Sequence, residues 1–344
     1  MSQALTDFYP WQTEAAQQWL ANRERFSHAW LIHGLAGIGK EQFARAGAAS
    51  LLCTNPKQGY LACGECDACR WCKHGNHPDL RLLRPEAVAA QEATEASPID
   101  SKKTLSKEIK VEQLRQLHSW FNTATHRGGY RVVVLYPAET LNAISANALL
   151  KMLEEPPANT VFILVADAPD RLLPTILSRC RRLPLAIPQP ELSVQWLQAH
   201  LGERSAAWLA AAGGGPTAAL RLAAEQEQPY PAWLASLIKG VAQNPRFDFG
   251  GIADQLEKES ASRWLDALQR NMIDVSLLQA TTDQVRYFPD LKSDNAVLAS
   301  RCQPLRVTQY LKWLNEQRRW ANHPLNAKLL VHHSLDRFKQ AVAN

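Results

Sequence analysis

No apolar run in this 344-residue chain approaches the about eighteen residues that a membrane span requires, and Met1–Pro10 carry nothing like a signal peptide. The expectation is a cytoplasmic protein with no membrane partner. Strong charge of one sign is missing too. The 38 basic and 33 acidic side chains leave a net charge of +5, compatible with work near nucleic acid but too small to require it. Cysteine is scarce outside one segment: of seven, five fall between Cys53 and Cys72, which argues for metal and against a dispersed disulfide framework. What remains is ordinary for a globular chain, 46% hydrophobic and 21% charged, and the length predicts two or three domains with buried cores.

The apolar run Ala29-Trp30-Leu31-Ile32-His33 stops at Gly34-Leu35-Ala36-Gly37-Ile38-Gly39-Lys40 and opens into a helical pattern over 41–52. That is the strand, loop and helix setting of a phosphate-binding loop. Gly34, Gly37 and Gly39 would let backbone N–H groups turn inward around a phosphate, the helix would add its positive N-terminal end, and Lys40 would reach the terminal phosphates. The loop lacks the Ser or Thr hydroxyl that ligates Mg²⁺ after the lysine; Glu41 stands there. A second part is missing at Tyr130–Tyr136, a β-branched run suited to a parallel sheet buried on both faces. It ends Tyr136-Pro137-Ala138-Glu139, where an active P-loop ATPase would carry an acidic pair. The reading is an α/β nucleotide-binding fold without catalysis, in which the retained Lys40 leaves passive binding of ATP or ADP open.

Cys53, Cys63, Cys66 and Cys69 have the spacing of a closed four-thiolate Zn²⁺ site, with Gly64 leaving room for the tight turn. Such a site is structural, since no position remains for water or substrate. Two alternatives stay open: Cys72 in place of Cys53, or an iron–sulfur cluster, although the usual ferredoxin run spaces its last step by three residues and adds a proline. His74 and His77 read as loop residues. Residues 85–107, rich in Ala, Glu, Ser, Thr and Lys with no apolar period, read as a surface loop.

Further helices are expected over 111–123, 138–154 and 170–177, with strands at 80–83, 160–166 and 183–187. Pro184, Pro188 and Pro190 mark a hinge. The chain divides into a P-loop domain, 1–187, carrying the cysteine module at 53–72; a small helical domain, 188–229; and an all-helical domain, 230–344. In the last, Trp233, Trp264 and Trp313 fall at core spacing and read as packing residues, not base-stacking platforms. The basic patches at 102–110, 126–131 and 179–182 read as solvated faces.

Asn147-Ala148-Leu149-Leu150-Lys151-Met152-Leu153-Glu154-Glu155-Pro156-Pro157, then Leu177-Ser178-Arg179-Cys180, resemble the motifs of bacterial clamp-loader AAA+ subunits, and the cysteine module sits where that family inserts one. The resemblance implies an AAA+ domain, a lid and a collar that closes a ring of five subunits serving DNA polymerase III. It implies gamma/tau and delta subunits as partners, with the sliding clamp and primed DNA engaged through the complex. It maps the family's Ser-Arg-Cys motif onto Ser178-Arg179-Cys180, making Arg179 an arginine finger for a neighbour's ATP site, and the sensor threonines onto Ala166 and Asp167. Gly214-Gly215-Pro216-Thr217 offers no sensing arginine. The departures resemble the family's non-hydrolysing member; the alternatives are an active gamma/tau-like ATPase and a zinc-dependent nucleic-acid-binding protein.

Overall fold

The computed structural model describes residues 6–93 except 22, 24 and 25; 105–320 except 127, 245 and 282; and 327–342. The chain folds as two compact units, 1–192 and 193–344.

The first unit is built on five parallel strands: β1 (Ala29–His33), β2 (Leu80–Leu83), β3 (Arg131–Leu135), β4 (Thr160–Ala166) and β5 (Arg181–Pro184), in the spatial order 2-3-4-1-5. Alternate side chains of the central strands face opposite layers, and both layers are apolar. Leu31, Val133, Leu135, Phe162 and Leu164 pack under α5 (Val111–Phe121), α6 (Ala143–Glu154) and α7 (Pro174–Arg179). Trp30, Ile32, Val132, Val134, Ile163 and Val165 pack under α1 (Thr13–Leu20) and α2 (Lys40–Leu52). This double burial is why β1, β3 and β4 read as unbroken hydrophobic runs. The edge strand β5 begins two residues before the expected 183, because Trp30 pairs with Arg181 and the ladder runs from there to His33 and Pro184. The helix expected over 138–154 starts at Ala143, where the Asn142 side chain accepts the Ser145 N–H; a separate 3-10 turn, Ala138–Thr140, precedes it.

The surface loop expected at 85–107 is corrected over its first part. Glu86–Ala93 form α4; residues 94–104 lie outside the described residues. Alanine hides this helix, since it favours helix without marking an apolar face. Polar anchors hold it: Glu86 accepts from Ser106 N at 3.1 Å and pairs with Lys110 at 2.7 Å, and Glu92 pairs with Arg84 at 2.7 Å and with Arg45. The patch at 126–131 is not all solvated either. Arg131 is buried, donates to Phe121 O and Thr123 O, and lies over the Trp120 ring.

The second unit is helical throughout its regular structure. Leu197, Trp208, Leu209 and Ala219, from α8 (Pro190–Leu201), α9 (Ser205–Ala211) and α10 (Pro216–Glu225), form a small cluster. A larger core joins α11 (Ala232–Gln243), α12 (Gly250–Leu256), α13 (Ala261–Thr281), α14 (Lys292–Arg301), α15 (Pro304–Trp320) and α16 (Ala327–Val342). Trp233, Trp264 and Trp313 are buried in it, as packing residues. Asp274, also buried, accepts from the backbone N–H groups of Arg286, Tyr287 and Phe288 and so ties the following loop to α13. Among the described residues no helix is long and apolar enough to cross a membrane.

Candidate functional site

The glycine loop leaves the carboxyl end of β1, and the sheet register decides what stands beside it. His33 pairs with Ala166, so the next residues, Gly34 and Asp167, emerge side by side from neighbouring strands. Gly39 takes φ +86° at the start of α2, a left-handed conformation that glycine adopts without strain, and a Cβ there would lie 2.5 Å from the Tyr9 ring. The 3-10 turn Pro10–Gln12 binds the same stretch: Trp11 Nε1 donates to Ile38 O at 2.9 Å, and Gln12 Nε2 donates to Ile38 O at 3.0 Å and Gly39 O at 2.8 Å.

Lys40 points back into its own loop. Its Nζ donates to Gly34 O at 3.0 Å and Leu35 O at 2.6 Å and pairs with Asp167 Oδ1 at 2.5 Å. An ammonium group has three donors, and these three acceptors use them all. The Lys40 side chain is only 3% exposed against 58% for Asp167, so the carboxylate reaches the ammonium from the solvent side. Neighbouring cations show in His33, whose pKa is lowered by burial and by Arg182 and Lys40.

At the end of β3 the acidic pair is replaced by a different polar cluster. Buried Tyr136 meets Arg45 of α2, and its hydroxyl donates to Glu92 Oε1 at 2.9 Å. Burial raises the phenol pKa further than the adjoining Arg45 and Arg84 lower it, so this hydroxyl stays protonated as a donor. Glu139 accepts from Ala168 N at 2.5 Å, which commits it to holding the β4 exit.

Arg179 is the last residue of α7, and Glu154 is the last residue of α6. The two helices end together, and the Arg179 guanidinium pairs with Glu154 while donating to Thr175 O, one turn back, at 2.9 Å. Both side chains remain partly open to solvent, 33% exposed for Arg179 and 49% for Glu154.

The four expected thiols converge. The sulfurs of Cys53, Cys63, Cys66 and Cys69 all lie within 4.8 Å of one another, with the Cys53–Cys66 and Cys63–Cys69 pairs both 3.8 Å apart. A tetrahedron with metal–sulfur bonds of about 2.3 Å has edges of about 3.8 Å, so the group can hold a metal ion. Backbone N–H groups already support the sulfurs: Cys63 N donates to Cys53 Sγ, Cys66 N to Cys63 Sγ and Cys69 N to Cys66 Sγ. Burial works against the Cys66 thiolate, but hydrogen bonds from Thr54 and Cys69 N outweigh it and bring the pKa down to about 5. Cys72 lies outside the four, and burial, with the charge of Cys66 and Cys53, pushes it up to about 12. His77 is buried but accepts from Asp79 N through Nδ1, and His74 Nδ1 donates to Arg70 O at 2.7 Å; both are loop residues outside the thiol group.

Gly34, Gly37, Gly39 and Lys40 thus form a glycine loop closed on its own lysine, and the four thiols form a metal cradle. The partners Asp167, Tyr136 and Glu154 were not legible as such. Asp167 stands directly after a buried strand, at a position the resemblance maps to a sensor threonine, and Glu154 stands in the quoted motif directly before the helix stop Glu155-Pro156-Pro157; neither signal names the partner.

A family model described as DNA polymerase III, delta subunit, matches residues 11–189. The delta-prime subunit of DNA polymerase III from Pseudomonas aeruginosa is 40% identical over 222 residues, covering 63% of this chain and 62% of that protein's length. The delta-prime subunit from Yersinia pestis is 31% identical over 339 residues, 96% of this chain and 93% of that one. The tau subunit from Salmonella typhimurium is 36% identical over 158 residues, 45% of this chain and 21% of that one.

Proposed function

The chain belongs to the DNA polymerase III delta-prime family, and from that premise we propose that it is a clamp-loader subunit that hydrolyses no ATP itself and supplies Arg179 to the ATP site of an adjoining gamma/tau subunit. In this reading it assembles in the cytoplasm with gamma/tau and delta subunits into a heteropentamer that places the sliding clamp on primed DNA. It acts within the DNA polymerase III holoenzyme, a DNA-directed DNA polymerase, and not as an enzyme alone. Structural Zn²⁺ on Cys53, Cys63, Cys66 and Cys69 holds the module after α2 together.

The observation that carries the reading is a contrast between two cations. Lys40 is 3% exposed with all three donors spent on Gly34 O, Leu35 O and Asp167, whereas Arg179, held by the surface carboxylate of Glu154 and by Thr175 O, stands at a helix end and is 33% exposed. A planar, permanently charged guanidinium can neutralise charge developing on a transferred phosphoryl group, an effect worth about 10³–10⁵ in rate for arginine fingers. A gamma/tau-like ATPase in its own right is disfavoured by Glu41 at the Mg²⁺-ligand position and by Tyr136, engaged with Arg45 and Glu92, at the end of β3.

The test is reconstitution with gamma/tau and delta subunits. Arg179→Ala is expected to lower DNA-stimulated ATP turnover while leaving assembly, read by size-exclusion chromatography, intact; unchanged turnover refutes the role.

A further inference from the structure

Arg179 is not extended in this chain. Its guanidinium folds back along α7 to Thr175 O at 2.9 Å and across to the Glu154 carboxylate at the end of α6. An arginine that reaches a neighbour's phosphoryl group must give up both contacts, because its side chain cannot span outward while bound one helical turn behind itself. The two contacts differ in kind. Thr175 O is a neutral acceptor in the first turn of the same helix, whereas Glu154 carries a full negative charge. A carboxylate and a phosphoryl oxygen present the same chemistry to a guanidinium fork, so they compete for the same donors.

We propose that Glu154 is a positioning residue that parks Arg179 on its own subunit until a triphosphate on the adjoining subunit draws it away; this rests on the reading of Arg179 as an arginine finger. The strength of the pair suits a restraint that can be released. With Glu154 49% and Arg179 33% exposed, water and salt screen the attraction, and a triphosphate with its greater charge outcompetes a single carboxylate. A buried partner would hold the finger permanently, and no acidic partner would leave it free to engage at any time. Glu154 also ends a rigid twelve-residue helix whose other face, including Leu149, Met152 and Leu153, is packed in the core, so the carboxylate is presented from a fixed place.

The test uses the reconstituted complex with four versions of this chain: wild type, Glu154→Gln, Arg179→Ala and the double variant. Gln keeps the shape and a hydrogen-bonding oxygen but removes the charge. Glu154→Gln is expected to raise ATP turnover in the absence of DNA about two- to fivefold, with a smaller change in the DNA-stimulated rate, so that the stimulation ratio falls. Added salt, which weakens the exposed pair, is expected to raise DNA-free turnover relative to the variant's. In the Arg179→Ala background the Glu154→Gln change is expected to have no further effect, since a role exercised through the arginine disappears with it. A merely structural role would persist there and overturns the proposal. So does unchanged or lowered DNA-free turnover in Glu154→Gln, which would make the carboxylate idle or an orienting group. Unchanged turnover in Arg179→Ala alone removes the finger reading itself, a failure separate from that of the Glu154 proposal.

Discussion

Replacing Asp167 by Ala removes the carboxylate paired with the Lys40 ammonium and nothing from the protein core, because the Asp167 side chain is 58% exposed. Breaking a fully buried pair costs about 3–5 kcal/mol and losing an exposed one about 0–1. This pair has one partner in each environment, and Gly34 O and Leu35 O continue to satisfy two of the three Nζ donors, so the loss should be about 1–2 kcal/mol. For a unit of this size that lowers the melting temperature by about 2–4 °C per kcal/mol. The same change frees one donor, aimed at the position a phosphate oxygen would take. ATP at about a hundred times its Kd then returns about 2.7 kcal/mol through binding to the folded state, more than was lost. The assay is a pair of thermal melts, with and without ATP, backed by a titration with a fluorescent ATP analogue. The wild type is expected to melt at the same temperature in both conditions; Asp167→Ala should melt lower without ATP and recover with it. A variant whose melting ATP leaves unmoved, or a wild type that ATP stabilises as much as the variant, refutes the idea that Asp167 occupies the phosphate's place.

Elemental analysis should find about one Zn per chain, and chelation or Cys63→Ser should release it and lower the melting temperature of the first unit; iron with visible absorbance would refute the assignment. Asp274→Ala leaves the N–H groups of Arg286, Tyr287 and Phe288 without their acceptor, at an expected cost of about 2–4 kcal/mol measured by denaturant unfolding. Burial lifts the Asp274 pKa above the ordinary aspartate value against the pull of those hydrogen bonds. The folded state therefore holds this proton more tightly, and the group's contribution to stability falls as pH rises from the ordinary value through the lifted one, then stays flat. The difference in stability between wild type and Asp274→Asn, followed from acid to neutral pH, should show that slope; its reverse would refute the cause given.

Much of the first unit was legible because its chemistry is local. The buried strands at 131–135 and 160–166 announce themselves by continuous apolar composition, and a sheet covered on both faces demands that. The thiols were legible because Cys63, Cys66 and Cys69 sit in one turn and Cys53 ends the adjoining helix. What escaped depends on register and long-range pairing. That Asp167 meets Lys40 follows from His33 lying opposite Ala166, which no spacing reveals. Helix α4 escaped because Glu86 and Glu92 anchor it while Val88 is its one large apolar residue against the core, too little for an apolar stripe, and Arg131 because its buried partners are carbonyl oxygens, which any sequence supplies.

One element, α2, begins at the lysine and ends at a thiol. Its thirteen residues make a strut about 20 Å long, with Lys40 fastened at one tip and Cys53 following the other. Phe43, Ala44, Ala48 and Leu51 wedge its flank against the sheet, so it has little freedom to bend. The cysteine module is accordingly no loose pendant: it is moored to one tip of a wedged strut whose opposite tip carries the glycine turn.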